Sequence, residues 1–386
     1  MAGLRVAIMT DAVGWHTRQL QAALRQRGAT GRCIDLADCH IDCRSDGRHP
    51  GHRAGRAGSR AAPWHGLVLP GLGTDLPDAV LVRGLAGGSF EQVTKRLGVL
   101  HALRDLGVPV YNDARAIERS VDKAMTSLLL QAARVPGPPT WATESAALAQ
   151  RVLVREAAAG HALVLKPLFG SQGKGLQLVG WVDGAFHPLP ALDGVYGGVA
   201  YLQRWIAPLQ PPAQTPGFDW RVLVIGGRAV AAMRRISTHW IHNLAQGARC
   251  EAAPLTADLA ALAEAAAAAL GLDYAGVDVM PSGGPPGRPA APLQVIEVNG
   301  IAAWQGLQRV TGFNIARALV DDLLDRKLAR AGPARPAAPA ASAAPATRAT
   351  PATPAAPAAP ATSAVSTAPA TAHIAPAAPG VWPRRA

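Results

Sequence analysis

Aromatic residues make up only 5% of the 386 residues, charged residues 17%, and cysteines number four. So few cysteines in so long a chain exclude a disulfide-built scaffold. Cys33, Cys39 and Cys43, with His40, are spaced C-x5-C-x3-C, which none of the common short zinc motifs uses, and Cys250 is remote. They read as ordinary thiols of a reducing compartment. No apolar run reaches a membrane-spanning length, so no membrane partner is expected. The opening "MAGLRVAIMTDAVGWHT" turns acidic at Asp11 before its apolar run is long enough for a secretory signal, which makes the cytoplasm the expected location.

Apolar residues, at 49%, are plentiful enough for large cores, and the net charge is +12. Part of that charge sits in the basic stretch 42–62, where Arg44, Arg48, Arg53, Arg56 and Arg60 lie among glycines. The stretch reads as a solvated surface loop, with an anionic partner as the alternative. No aromatics are interleaved there to stack bases, so nucleic acid is not an expected partner. From 331 to 386 the text is almost only Ala, Pro, Thr and Ser, with Arg335, Arg348, Arg384 and Arg385 and no acid. A segment with so few large side chains cannot offset its ordering entropy, and the expectation is a disordered tail.

Four units are expected. Residues 1–115 alternate short apolar strands ("LRVAIMTD", "GRCIDLAD", "DAVLVRG", "VPVYND") with helical stretches, one of them opened by a Ser89–Gln92 capping box. That rhythm predicts a Rossmann-like parallel α/β domain. The helical "ARAIERSVDKAMTSLLLQAARVPGPPT", which starts at Ala114, leads into residues 116–203, and these continue into a hairpin made of "HALVLKPL" and "GLQLVG". Residues 204–330 hold a second hairpin turning at Gly226-Gly227, a helix over "TADLAALAEAAAAALG", and the paired strands "DYAGVDVM" and "LQVIEVN". The last unit is the tail.

The loop between "LVLK" and "LQLV" carries Gly170, Ser171, Gln172, Gly173, Lys174 and Gly175. A P-loop runs into a helix through G-K-[ST]; here the loop exits into a strand. A kinase glycine flap would come with H-R-D and D-F-G, and neither string occurs. A glycine flap that exits into a strand, flanked by Lys166 and preceded by Lys123, suits the terminal phosphates of a nucleotide, because backbone must approach the ligand and lysines supply charge. Downstream, Glu297 and Asn299 are two apart on a strand, so both point to one face, and Asp278 is on the neighbouring strand. Two carboxylates and an amide oxygen make an all-oxygen set for Mg²⁺, with Mn²⁺ as the alternative metal. Arg221 and Arg235 flank the Gly226-Gly227 hairpin and point to an anionic substrate.

These strings, with "YLQRWI", "DWRVLVIGGRAVAAMRR", "HNLAQGA" and "VIEVNGIAAWQGLQ", all in the same order, resemble the ATP-grasp superfamily, and within it the RimK-like α-L-glutamate ligases. The segment from Leu81 to Lys123 is most similar to members tied to tetrahydromethanopterin-type cofactors. The resemblance implies an α/β N-terminal domain followed by an α+β ATP-grasp pair of subdomains clasping ATP. It assigns Lys123, Lys166 and the flap from Gly170 to Gly175 to the ATP phosphates, Gln203, Arg204, Trp205 and Ile206 to the adenine hinge, Asp219 to ribose and Asn243 to phosphate. Asp278, Glu297 and Asn299 would hold Mg²⁺, and Arg221 and Arg235 would be catalytic, steadying an acyl phosphate and the incoming anion. The implied partners are small molecules, L-glutamate and a carboxylate acceptor, and a homo-oligomer is left open. Glutamylation of a protein C-terminus and a nucleotide-binding module without catalysis are the alternative functions. Three features depart from the family pattern: Arg204 where glutamate is frequent, Ile241 where some relatives are basic, and Gly300-Ile301-Ala302 in place of Ser-Ile-Pro.

Overall fold

The structure, a computed structural model, describes residues 3–43, 64–170, 172–206, 217–281 and 292–331. The basic stretch beyond Cys43, Ser171 and the tail beyond residue 331 lie outside the described residues.

The first layer is a parallel sheet in the order β2-β1-β5-β6, with β1 at Arg5–Met9, β2 at Thr30–Ile34, β5 at Ala79–Val82 and β6 at Val110–Tyr111. The short pair β3 (His40–Ile41) and β4 (Leu67–Val68) lies outside it. β5 and, beyond exposed Arg5, β1 are apolar because a parallel sheet is covered on both faces. One cover is α1 (Trp15–Gln26), and the other is α2 (Phe90–Asp105). Ser89 caps α2 through the expected box with Gln92.

The helical stretch after β6 is two helices, α3 (Ala114–Val121) and α4 (Lys123–Ala132), rather than one. Asp122 leaves the helical conformation and its carboxylate accepts from the N–H groups of Ala124 and Met125, so a new helix starts there. Lys123 is thereby the first residue of α4. A five-stranded antiparallel sheet follows in the order β10-β9-β8-β11-β7, with β7 at Thr140–Thr143, β8 at Leu163–Lys166, β9 at Gln177–Val182, β10 at Ala185–His187 and β11 at Ala200–Arg204. Helix α5 (Ala146–Ala158) backs it through Ala149, Val152 and Leu153.

The third sheet is also antiparallel, in the order β14-β13-β12-β15-β16. Its strands are β12 (Gly217–Ile225), β13 (Arg228–Ser237), β14 (Arg249–Ala253), β15 (Tyr274–Pro281) and β16 (Leu293–Asn299). Gly226 and Gly227, both at positive φ, close the two-residue turn between β12 and β13 as expected. Helix α6 (Ala257–Leu270) packs Ala263, Ala266 and Ala267 on one sheet face, small side chains that admit close approach, and stops at left-handed Gly271. α7 (Gln305–Val310) and α8 (Ile315–Asp321) fill the space between the other face and the first layer. Asn112, fully buried just after β6, locks these parts together: its amide donates to the carbonyls of Tyr274 (2.7 Å) and Gly300 (2.6 Å) and accepts from the N–H groups of Asp273 and Tyr274. That joint holds both β15 and the residue following β16.

Candidate active site

One face of the third sheet changes character along its length. Toward the Gly226-Gly227 turn it carries Leu223, Ile225, Ala231, Met233 and Tyr274, which pack against the first layer. Beyond them the same face carries charge. Arg235 stands opposite Asp219, and Arg221 opposite Asp278, which is itself opposite Glu297. Strand neighbours in direct register share a face, so alternation along the strands gathers all five groups.

A bulge perfects this on β16. The register slips between Asp278 and Val279, leaving Ile296 as the extra residue. Val295 and Val298 can then both reach the α6 core while Glu297 keeps its place opposite Asp278. Strict alternation along "VIEV" would have put Val295 and Glu297 on one face.

The charges are tightly paired. Arg235, 4% exposed, donates to both oxygens of Asp219 (2.7 and 2.5 Å) and lies 3.0 Å from Asp278 Oδ2. Arg221 grips Asp278 with Nε and with Nη2, the latter at 3.0 Å. Burial works to raise the Asp278 carboxyl, but the two guanidinium groups win and hold it below the ordinary carboxylate range. Gly276 makes room for Arg221: a Cβ there would stand 3.0 Å from Nη1. Asn299 donates through Nδ2 to Gly276 O at 3.3 Å, which turns its Oδ1 elsewhere as an acceptor. Among the described residues no cluster of three or more His, Cys, Asp or Glu side chains could hold a metal. Two carboxylates plus an amide oxygen fit Mg²⁺ nonetheless, since that ion keeps several waters and takes phosphate oxygens.

The second wall comes from the central sheet. Lys166 ends β8, and its amine donates to Gln203 Oε1 at 2.6 Å. Burial lowers its pKa to about 8, Glu297 pulling it up and Lys123 pushing it down. Lys123, at the start of α4, donates to Gly170 O at 2.9 Å and stands 3.8 Å from Glu297 Oε1. The flap lies across the cleft: Gln246 Nε2 donates to Gln172 O at 3.2 Å, and a Cβ on Gly173 would be 2.8 Å from Ile241 Cγ2 and 3.1 Å from Asn243 Nδ2. Gly173 and Gly175 are at positive φ, a conformation that favours glycine.

Between these walls is an open cleft of about 840 Å³, part of it continuous with solvent. Its lining includes Lys123, Lys166, Gly170, Gln172, Gly173, Lys174, Gln203, Arg204, Trp205, Ile206, Asp219, Arg235, Asn243, Asp278 and Glu297, all singled out in the sequence. Arg221 and Asn299 stand behind the lining residues and Gly175 at the flap's root. Val164, Leu176, Met280 and Ile296 add an apolar wall, and Pro138, Pro167, Trp240, Ile241 and His242 complete the lining. The signal for Val164 and Met280 was only their position in buried strands.

Two placements differ from expectation. The Arg204 guanidinium turns to Glu156 on α5, with Nη2 at 2.7 Å and Nε at 3.1 Å from Oε2, so it is a brace for the central sheet. Of the hinge backbone, Arg204 N–H donates to Pro139 O and Trp205 N–H to Ala162 O. Ile206 N–H has no backbone acceptor among the described residues. Asp219, expected at ribose, holds Arg235 with both oxygens.

A RimK-like ATP-grasp domain model matches residues 120–323. The chain belongs to the RimK-like ATP-grasp family. It is a ligase of the ATP-grasp type, as its sequence resemblance implied. The tetrahydromethanopterin:alpha-L-glutamate ligase of Methanococcus maripaludis is 35% identical over 220 residues, covering 56% of this chain and 70% of that one. The enzyme of the same name from Methanosarcina acetivorans is 28% identical over 346 residues, covering 84% and 99%. Among solved structures, the ATP-grasp ligase PsnB complexed with minimal precursor, Mg and ADP superposes with a TM-score of 0.55 at 20% identity, covering 83% of this chain and 97% of that one. The fold is therefore ATP-grasp. Every candidate site residue from Lys123 to Asn299 falls inside the matched RimK-like domain. No helix among the described residues is long and apolar enough to cross a membrane.

Proposed function

We propose that this protein is an ATP-dependent carboxylate–amine ligase that adds L-glutamate to a carboxylate on a tetrahydromethanopterin-type pterin. The observation that carries the reading is the convergence of Lys123, Lys166, the Gly170–Gly175 flap and the Asp278–Glu297 pair on one cavity. The relatives named above support the choice of pterin and glutamate.

A carboxylate is a poor acyl donor, so its oxygen attacks the γ-phosphorus of ATP in line, releasing ADP and leaving an acyl phosphate. Lys123 and Lys166 bind and neutralise the phosphoryl oxygens, and the flap N–H groups wrap the terminal phosphate. Asp278, Glu297 and Asn299 would hold Mg²⁺, which supplies further charge neutralisation on those oxygens. The amine of glutamate then attacks the acyl carbon, and phosphate leaves. Arg235 faces the cavity and steadies the developing oxyanion, with Arg221 behind it holding Asp278 in place. Closure of the flap onto the 241–246 segment keeps water from the acyl phosphate.

Purified protein incubated with Mg-ATP, L-glutamate and tetrahydromethanopterin is expected to yield a pterin heavier by one glutamyl residue, with one ADP per amide. Mass gain only on peptides ending in a free carboxylate would move the acceptor to a protein C-terminus. ATP binding with no amide on any acceptor would remove the ligase reading.

A further inference from the structure

His242 takes part in none of the steps above, yet it is 5% exposed and lines the cavity. Its Nε2 is buried and has no hydrogen-bond partner among the described residues. Leaving such an atom unmet is costly, and a merely structural histidine would avoid that by finding a partner. On one side of it in the chain is Ile241, against which flap Gly173 packs, and on the other is Asn243. Arg235 is near enough to act on its charge.

Each carboxylate of the cavity lining stands beside a cation. Asp219 and Asp278 hold arginines, and Glu297 faces Lys123. The reaction also needs something that cations and carboxylates do not offer. An attacking amine must present a free lone pair while its N–H bonds are steadied, and a neutral acceptor does that without holding the nitrogen as ammonium. Burial, with Arg235 and His239 adding to it, keeps the imidazole neutral down to about pH 4.

On the basis of the ligase reading, we infer that His242 is a further catalytic residue: its buried Nε2 accepts a hydrogen bond from the attacking amine and aims the nitrogen at the acyl carbon. The Nδ1–H tautomer is the one required.

The test uses the full chain with Mg-ATP, tetrahydromethanopterin and L-glutamate, and the variants His242→Ala and His242→Gln. In His242→Ala, kcat/KM for L-glutamate is expected to fall about 10- to 100-fold, the loss of one buried hydrogen bond, while MgADP affinity stays within about twofold. His242→Gln retains an acceptor oxygen and should recover part of the loss. The inference is overturned if kcat/KM for glutamate is unchanged in His242→Ala, or if MgADP affinity falls in parallel, since the residue then serves the nucleotide or the fold. A wild-type protein that makes no glutamyl product overturns the ligase reading itself, and that outcome is separate because it precedes any variant.

Discussion

Nucleotide binding should take up a proton near pH 8. Lys166 is the source: its amine sits inside the cleft against Gln203, and burial brings its pKa from 10.5 to about 8. Phosphate oxygens arriving beside it favour the charged form and push that pKa up again. In the free protein at pH 8 about half of the Lys166 groups are neutral, so each nucleotide should bring in about 0.5 proton at pH 8, about 0.1 at pH 7 and about 0.9 at pH 9. The sign follows directly: the protonated lysine is the binding form, so affinity is level below pH 8 and falls about tenfold per pH unit above it. Titration calorimetry with MgADP in buffers of different ionisation enthalpy measures the uptake. Lys166→Met should abolish both the uptake and the pH dependence, its affinity approaching that of the wild type as pH rises. Uptake that persists in Lys166→Met, or no uptake by the wild type at pH 8, would refute the assignment of that charge to the phosphate site.

Three further outcomes test the rest of the site. Asp278→Ala takes away the carboxylate that Arg221 grips and one of the two that hold buried Arg235, which keeps Asp219, and should cost about 3 kcal/mol in urea unfolding; a loss under about 1 kcal/mol would show that the carboxylate does not organise the sheet. Gly173→Ala places a Cβ 2.8 Å from Ile241 Cγ2 at a positive φ and should weaken MgADP about tenfold with little change in Tm, because only the flap is strained. Unchanged affinity would mean that the flap does not need this docking. Arg204→Ala should lower stability by about 1–2 kcal/mol through the loss of the Glu156 pair, yet leave MgADP affinity within about threefold; a tenfold weaker complex would place the side chain in the nucleotide site after all.

Local chemistry decided much of this protein before any tertiary contact formed. The apolar runs of β1 and β5, the Ser89–Gln92 box, the Gly226-Gly227 turn and the strand exit of the flap each depend on residues within a few positions of one another. Alternation along β16 likewise set Glu297 and Asn299 apart as a pair, and the order of these strings was enough to indicate the family. Other features needed the fold. Which acid meets which arginine depends on the register of β12 against β13 and β15, strands brought together across tens of residues with no local mark of their partner. The bulge at Ile296, the turn of Arg204 toward α5 and the burial of His242 beside the flap are decided by packing between elements remote in the chain. Periodicity specifies where a side chain points along its own strand, whereas only the neighbouring strand specifies what it finds there.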